Sequence, residues 1–318
     1  MRRVRSDGDA QKWMKTTDDV RQRLQMNTTI RKVMPGQLRM RDVRRRFEQA
    51  ADTCARADFV SRHMADGLLE RTLPMKIEVK RALDAGSAGG SASRELRRRY
   101  KGSHIVSLDI APGMLRAARK ARSRFAKISE LQADATLLPF RDGSLDLVFA
   151  NLLLPWIDDI PGFLAGVARV LRKDGLFVFS TLGPRSLREL REAWQTVDNA
   201  EHVNAFPDMH DIGDAVMQAG MREPVLDVEY LTVSYGSVQS MFADLTAVGG
   251  RNCLRGRAAG LTGRSRFAAF CRQLETQSED GRLSLPLELV FGHAWGGGAP
   301  AAAGEFRFDP AAIGRRRR

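Results

Sequence analysis

Short apolar runs alternate with amphipathic stretches of helical spacing along the middle of this 318-residue chain. The apolar runs predict strands and the stretches between them predict helices. Strands and helices that alternate at this length form βαβ units, whose strands lie parallel and whose crossovers are right-handed. The pattern therefore predicts a doubly wound α/β domain with a mostly parallel sheet. We expect strands over residues 77–84, 105–110, 128–134, 145–151 and 176–181, and helices over 91–100, 113–123 and 160–172.

Further elements flank this alternation on both sides. Helical spacing runs through residues 41–72, ahead of the first strand. The second half adds two strands, over 225–235 and 286–294, which bring the sheet to seven strands. It also adds helices over 186–197, 208–219, 237–248 and 264–276. We divide the chain into a basic extension over 1–39, a single domain over 40–295, and a Gly/Ala/Pro-rich, basic tail over 296–318.

Composition narrows the class of protein. Hydrophobic residues make up 43% and charged residues 28%, as in ordinary globular proteins. No apolar run reaches the length of a membrane-spanning helix, and no cleavable signal precedes the first helix, so we expect a cytoplasmic protein without membrane contact. Three cysteines lie far apart, which predicts neither a metal site nor a disulfide framework.

The positive charge lies mainly at the two ends. Residues 1–46 hold 14 Lys/Arg against 5 Asp/Glu, and residues 315–318 are four arginines, whereas the whole chain carries +13. The stretch between the ends is therefore formally neutral, which does not predict a nucleic-acid-binding surface. We expect solvated ends that attract an acidic partner through long-range steering, an effect that salt weakens.

A glycine-rich turn stands between the first strand and the following helix, with the sequence DAGSAGG over residues 84–90. Glycine lets backbone approach a ligand that side chains would exclude. The next strand ends at Asp109, whose carboxylate can accept two hydrogen bonds from ribose hydroxyls. Asp134 and Ala135 close the third strand, and Asn151 closes the fourth.

This succession resembles the class I S-adenosylmethionine-dependent methyltransferases. The resemblance implies that the first turn, with Asp84, Gly86, Ala88 and Gly90, faces the methionine part of S-adenosylmethionine. By the same resemblance Asp109 and Ile110 meet the ribose, Asp134 and Ala135 meet the adenine, and Asn151 lines the methyl-transfer site.

More specific strings lie in the second half, over residues 179–194, 202–206, 260–264 and 291–295. They are similar to the malonyl-acyl-carrier-protein O-methyltransferase family of biotin synthesis. That family methylates the free carboxylate of a malonyl group on acyl carrier protein, which is an acidic partner. A carboxylate is already ionised at neutral pH, so we expect alignment of the reactants and no catalytic base. We expect Trp156, Arg188 and Asn204 to bind the substrate, and Arg185 and Arg191 are further cationic candidates.

Two residues depart from the family pattern. Ala88 stands where the turn usually has glycine, and its methyl group is expected to crowd the cofactor. Cys54 stands where the family has a tyrosine, so the phenol is missing. These departures leave open a pseudo-methyltransferase that serves as a binding module. The sequence also leaves open a related complex I assembly factor that hydroxylates an arginine, and a methyltransferase for another small acid or a quinone precursor.

Overall fold

A computed structural model describes residues 38–258, 260–278 and 280–297. Within them, seven strands form one sheet in the order β3-β2-β1-β4-β5-β7-β6, and β7 runs against its two neighbours. The expected doubly wound, mostly parallel sheet is confirmed. The strands are β1 (Arg81–Ala85), β2 (His104–Asp109), β3 (Ile128–Gln132), β4 (Leu145–Ala150), β5 (Leu171–Leu182), β6 (Arg222–Tyr235) and β7 (Leu283–Trp295).

Helices cover both faces of the sheet. In the described residues they are α1 (Met40–Ala50), α2 (Phe59–Arg71), α3 (Ser91–Arg99), α4 (Pro112–Ala121), α5 (Ile160–Val170), α6 (Arg188–Gln195), α7 (Met209–Gln218), α8 (Val238–Ala247) and α9 (Arg264–Glu275). Helices α5 and α7 pack on one face, and helices α2 and α3 pack on the other.

The two-residue period of the strands assigns their side chains to these faces. In β4, Val148 and Ala150 join the α5 side, whereas Leu147 and Phe149 join the α2 side. All six residues of β4 are buried, as expected for a central strand covered by helices on both faces.

Several predicted elements differ in their bounds, among them β5, which begins at Leu171 and not at residue 176. The helical stretch over 41–72 is two helices, α1 and α2, separated by a short 3₁₀ turn over Cys54–Arg56. Strand β1 begins at Arg81 and not at residue 77. The backbone N–H groups of Lys80 and Arg81 both donate to Asp146 Oδ2, at 2.9 and 2.8 Å. A side chain therefore takes these donors, and the ladder between β1 and β2 starts at the second of them, with Arg81 opposite His104.

The proposed extension over 1–39 and tail over 296–318 lie almost wholly outside the described residues. Where description begins, Leu38 is already buried and forms a β-bridge with Leu254. No helix within the described ranges is long and apolar enough to span a membrane. All three cysteines are free thiols.

Candidate functional site

A cavity of about 560 Å³ opens at the carboxyl ends of β1 and β4. These two strands are neighbours, and the chain continues to β2 and β3 on one side and to β5 on the other. Ligands of open α/β sheets bind at this reversal of strand order. The volume suits a small organic ligand or cofactor.

The glycine turn forms one wall of the cavity. Gly86 follows β1 with a φ of 72°, and a Cβ atom there would lie 2.8 Å from Leu153 Cδ1. The left-handed backbone therefore favours glycine at this position, and a side chain there would have to displace the end of Leu153. The hydroxyl of Ser87 also lines the cavity and is buried without a hydrogen-bond partner among the described residues.

Ala88 also adopts the left-handed conformation, with a φ of 44°. Its backbone N–H donates to Asp109 Oδ2 at 2.9 Å, which ties the turn to the end of β2. It packs against a buried cluster that contains Cys54 and Met114 while also lining the cavity. The two residues that depart from the family pattern, Ala88 and Cys54, thus share one cluster.

Gly90, by contrast, does not line the cavity. Its φ is 71°, and a Cβ atom there would lie 2.8 Å from Ala118 Cβ on α4. The residue allows α4 to pack closely against the start of α3. Its position supports a packing role and gives no support to the expected contact with a cofactor.

Two buried carboxyl groups face the cavity from strand ends. Asp109 Oδ1 accepts the Ala111 N–H at 2.8 Å, and burial raises the pKa of Asp109 to about 6. Asp84 accepts the Ser93 hydroxyl at 2.5 Å, and burial raises the pKa of Asp84 to about 7. Each carboxylate retains free lone pairs for a ligand's hydroxyl or ammonium group.

The next strand ends also reach the cavity. Asp134 caps the 3₁₀ turn over Ala135–Leu137, and its Oδ1 accepts the Thr136 N–H at 2.9 Å. Asp134, Ala135 and Ile110 all line the wall.

Asn151 lines the cavity, but internal contacts occupy its amide. Nδ2 donates to the Ser61 carbonyl oxygen at 2.8 Å, and Oδ1 accepts the Ser180 hydroxyl at 2.7 Å. The side chain therefore joins α2 to β5 at the edge of the site.

Of the residues expected to bind the substrate, some line the cavity and others lie outside it. Trp156 and Asn204 line the cavity, and the Trp156 ring meets the edge of Phe47 at a centroid distance of 5.1 Å. Arg188 does not line it: the side chain is 66% exposed and pairs with Glu192 at 2.9 Å. Arg185 and Arg191 are likewise absent from the wall, so none of the three predicted arginines is positioned to hold a substrate there.

Other arginines occupy the cavity wall, and the sequence reasoning missed them. Arg46 comes from α1, and Arg251 and Arg257 come from the loop after α8. The buried Nε–H groups of Arg46 and Arg257 find no acceptor among the described residues. Burial and the neighbouring Arg46 lower the pKa of Arg251, whose guanidinium lies 4.8 Å from the Phe242 ring centroid. No local motif marks these residues, because only the fold brings the loop to α1.

Of the described residues that line the cavity, one is a histidine, His202, and it is engaged in structural contacts. Its ring stacks on Trp194 at 3.8 Å, and its Nε2 lies 2.7 Å from Asp198 Oδ1. Across the part of the chain that the structure describes, no group of His, Cys, Asp and Glu could hold a metal ion. The arrangement provides polar binding groups and apolar walls.

A model of the methyltransferase domain matches residues 83–179, which span β1 to β5. The fold is similar to that of YcgJ from Bacillus subtilis, with a TM-score of 0.53 and 16% identity over 73% of this chain and 98% of that one. A Bacillus halodurans protein gives a TM-score of 0.54 at 14% identity, covering 74% and 99%. Sheet order, matched domain and strand-end site together define a class I S-adenosylmethionine-dependent methyltransferase.

The relatives narrow the class to a family. A malonyl-[acyl-carrier protein] O-methyltransferase from Gallionella capsiferriformans is 40% identical over 80% of this chain and 89% of its own length. Proteins of the same name from Laribacter hongkongensis and Halorhodospira halophila are 41% and 39% identical, over 84% and 87% of this chain and 92% and 96% of theirs. The chain belongs to the malonyl-[acyl-carrier protein] O-methyltransferase family.

S-adenosylmethionine is the cofactor of this chain, and the residues present fit it. Gly86 lines the cavity without a side chain, so its backbone can approach the ligand. The unpartnered Ser87 hydroxyl and the carboxyl groups of Asp84 and Asp109 offer polar contacts there. We propose that these residues, with Asp134 and Ala135, hold the cofactor.

Proposed function

We propose that this chain transfers the methyl group of S-adenosylmethionine to the free carboxylate of a malonyl group on acyl carrier protein. For a chain of this family, one observation gives this proposal its main support. A continuous cavity runs from the glycine turn to a wall that carries Arg46 and Arg251. The cavity thus offers a surface for the cofactor and a cationic surface for an anionic acceptor.

The two arginines favour a carboxylate as the acceptor. Burial, and then repulsion by the nearby Arg46 guanidinium, lower the pKa of Arg251, so two like charges line a partly desolvated wall. A bound carboxylate would offset that repulsion and would accept charge-assisted hydrogen bonds, including one from the unpartnered Arg46 Nε–H. Trp156 and Asn204 line the same cavity and complete our proposed substrate site.

The chemistry asks mainly for alignment. S-adenosylmethionine supplies a methyl group activated by its sulfonium, so the products are a methyl ester and a neutral thioether. The malonyl carboxylate is ionised at neutral pH, and no proton needs to be removed from it. The arginines hold the anion, and the apolar side chains of Phe47, Val60 and Trp156 exclude water from the wall.

The direct test combines purified protein, methyl-labelled S-adenosylmethionine and malonyl-acyl carrier protein. We expect one methyl group on the malonyl carrier protein and none on acetyl carrier protein, which has no free carboxylate. Growth without biotin, restored in a strain that lacks its own methyltransferase, would support the same activity in cells. Binding of S-adenosylmethionine without methylation of malonyl-acyl carrier protein would overturn the proposal, and failure to bind the cofactor would identify a pseudo-methyltransferase.

The proposed role of Arg251 in substrate binding can be tested with a matched pair of variants. Arg251→Gln should raise the KM for the malonyl substrate about ten- to a hundredfold, because a hydrogen bond to a charged group contributes about 1.5–3 kcal/mol. Arg188→Gln should leave the KM unchanged, because Arg188 lies outside the cavity. Arg251→Lys keeps the charge and should recover part of the loss. Equal effects of Arg251→Gln and Arg188→Gln would contradict the assignment.

A further inference from the structure

An arginine-rich surface lies beside the cavity in the described part of the fold. It lines a second depression with Arg39, Arg41, Arg45, Arg255 and Arg257, which we call the arginine rim. Arg39 directly precedes α1, Arg41 and Arg45 belong to α1, and Arg255 and Arg257 come from the loop after α8. Arg39, Arg41 and Arg45 belong to the basic stretch over 1–46, and the fold brings Arg255 and Arg257 beside them from the formally neutral stretch.

The rim is held in shape by the backbone beneath it. Leu38 and Leu254 form a β-bridge, and the Arg39 N–H donates to the Cys253 carbonyl oxygen at 2.8 Å. The Arg255 Nε–H donates to the Leu38 carbonyl oxygen at 3.0 Å. The arginines therefore project from two segments that are hydrogen-bonded to each other.

Two acids only partly balance the rim. Asp42 lies 2.8 Å from Arg257 and 3.4 Å from Arg45, and Asp158 lies 3.2 Å from Arg255. Five guanidinium groups against two carboxylates leave a local charge of +3. Arg41 is exposed and forms no ion pair with the other described residues.

The rim is continuous with the cavity. Met40 and Arg257 line both depressions. A substrate that enters the cavity on a flexible tether would bring its carrier onto the surface beside the opening. The rim is thus positioned to contact whatever holds the tether.

We propose that the arginine rim is the docking surface for an acidic carrier protein whose tethered acyl group occupies the cavity. The inference rests on the proposed function, and it identifies where the partner binds. Complementary charge at exposed positions accelerates association and fixes orientation, and added salt weakens both effects. The exposed rim arginines act on encounter, whereas Arg46 and Arg251 act inside the cavity.

The test reverses two rim charges that do not line the cavity. Arg41→Glu with Arg45→Glu, in the full chain, should lower kcat/KM on malonyl-acyl carrier protein about tenfold at low salt, mainly through KM. The loss should shrink as salt increases. Turnover of malonyl-pantetheine, which has no carrier protein and no phosphate, should be unchanged. The matched control is Lys80→Glu with Arg98→Glu, which changes the same net charge at positions that are 73% and 72% exposed.

The outcomes separate the two proposals. Equal losses on both substrates, or no loss on the carrier protein, would overturn the docking surface. If the wild type methylates neither substrate, the proposed function fails. Fluorescence anisotropy with labelled carrier protein then still tests the rim, because it requires no turnover. Equal affinity of the wild type and the rim variant for the carrier protein would count against the proposed docking surface. The same measurement with labelled RNA is a control, and a variant that loses affinity for RNA alone would also count against the proposal.

Discussion

Ala88 holds a backbone conformation that glycine adopts freely and alanine does not. Its φ of 44° lies in the left-handed region, which costs a residue with a Cβ atom about 1–2 kcal/mol. The methyl group packs against the cluster of Cys54, Ala111 and Met114. A tyrosine in place of Cys54 would have to share that space, so we infer that the two departures from the family pattern depend on each other.

This dependence predicts a non-additive pair of substitutions. Cys54→Tyr alone should destabilise the fold by about 1–3 kcal/mol, because Cys54 is buried and added atoms overfill the cluster. Ala88→Gly removes the methyl group and the strained φ, so the double variant should regain much of that loss. Urea unfolding of the wild type, both single variants and the double variant measures the coupling. Strictly additive free energies of unfolding would contradict it.

At the scale of single residues, the sequence predicted which carboxyl and amide groups lie at the cavity, but it did not predict the arginines of the cavity wall. Asp109, Asp134 and Asn151 follow strands, and the ends of parallel strands meet at one edge of a sheet. Arg251 follows a helix and belongs to a loop that reaches the cavity only through packing against α1. The predicted Arg188 pairs with Glu192 one turn later on its own helix, an interaction that helical spacing favours.

At the scale of elements, the side chain of Asn151 attaches helix α2, which lines one side of the cavity, to the sheet. Helix α2 carries Phe59, Val60 and Ser61 along the cavity, and Asn151 joins it to the sheet through the Ser61 carbonyl oxygen and the Ser180 hydroxyl. Because these bonds are partly buried and link two separate elements, their loss would leave α2 less firmly attached.

Asn151→Ala should therefore loosen α2 without removing any side chain of that helix. Each lost hydrogen bond contributes about 0.5–1.5 kcal/mol, and the Ser180 hydroxyl loses its Asn151 acceptor. We expect faster amide exchange in α2 and weaker S-adenosylmethionine binding in calorimetry. Ser61→Ala is the control, because it keeps the carbonyl oxygen and removes only the 3.1 Å contact to the hydroxyl. The prediction is wrong if both variants behave alike.

The elements themselves were largely predictable, and the exceptions have local causes. Periodicity gave the alternation of β1 to β5 with α3 to α5, since buried strands and amphipathic helices differ in period. It continued helix α1 across residues 51–58, where the chain turns, and the Thr53 hydroxyl donates to the Ala247 carbonyl oxygen at 2.8 Å. That bond spans 194 residues, so no local pattern could have shown it.

At the scale of the whole molecule, two carboxyl groups, Asp84 and Asp109, are expected to bind protons more tightly in the folded protein than in the unfolded chain. The pKa of Asp84 rises from 3.8 to about 7, and that of Asp109 rises from 3.8 to about 6, in both cases mainly through burial. Stability from such groups is fully present below the unfolded pKa and is lost as pH rises through the folded pKa. Four carboxyl groups with lowered pKa values act in the opposite sense, Asp42, Glu48, Glu130 and Asp198.

Asp84→Asn isolates one of these contributions, because all the other groups remain in both proteins. Without cofactor, the variant's free energy of unfolding relative to the wild type should increase as pH rises from about 4 to about 7, and then level off.

The affinity of the wild type for S-adenosylmethionine should increase with pH, since the ammonium and sulfonium charges of the cofactor favour an ionised Asp84. Binding by the wild type should therefore strengthen from about pH 5 to about pH 8, and binding by the variant should strengthen less. Chemical denaturation and calorimetry over that range measure both quantities. A stability difference that does not change with pH would show that Asp84 is ionised throughout and that the raised pKa is wrong.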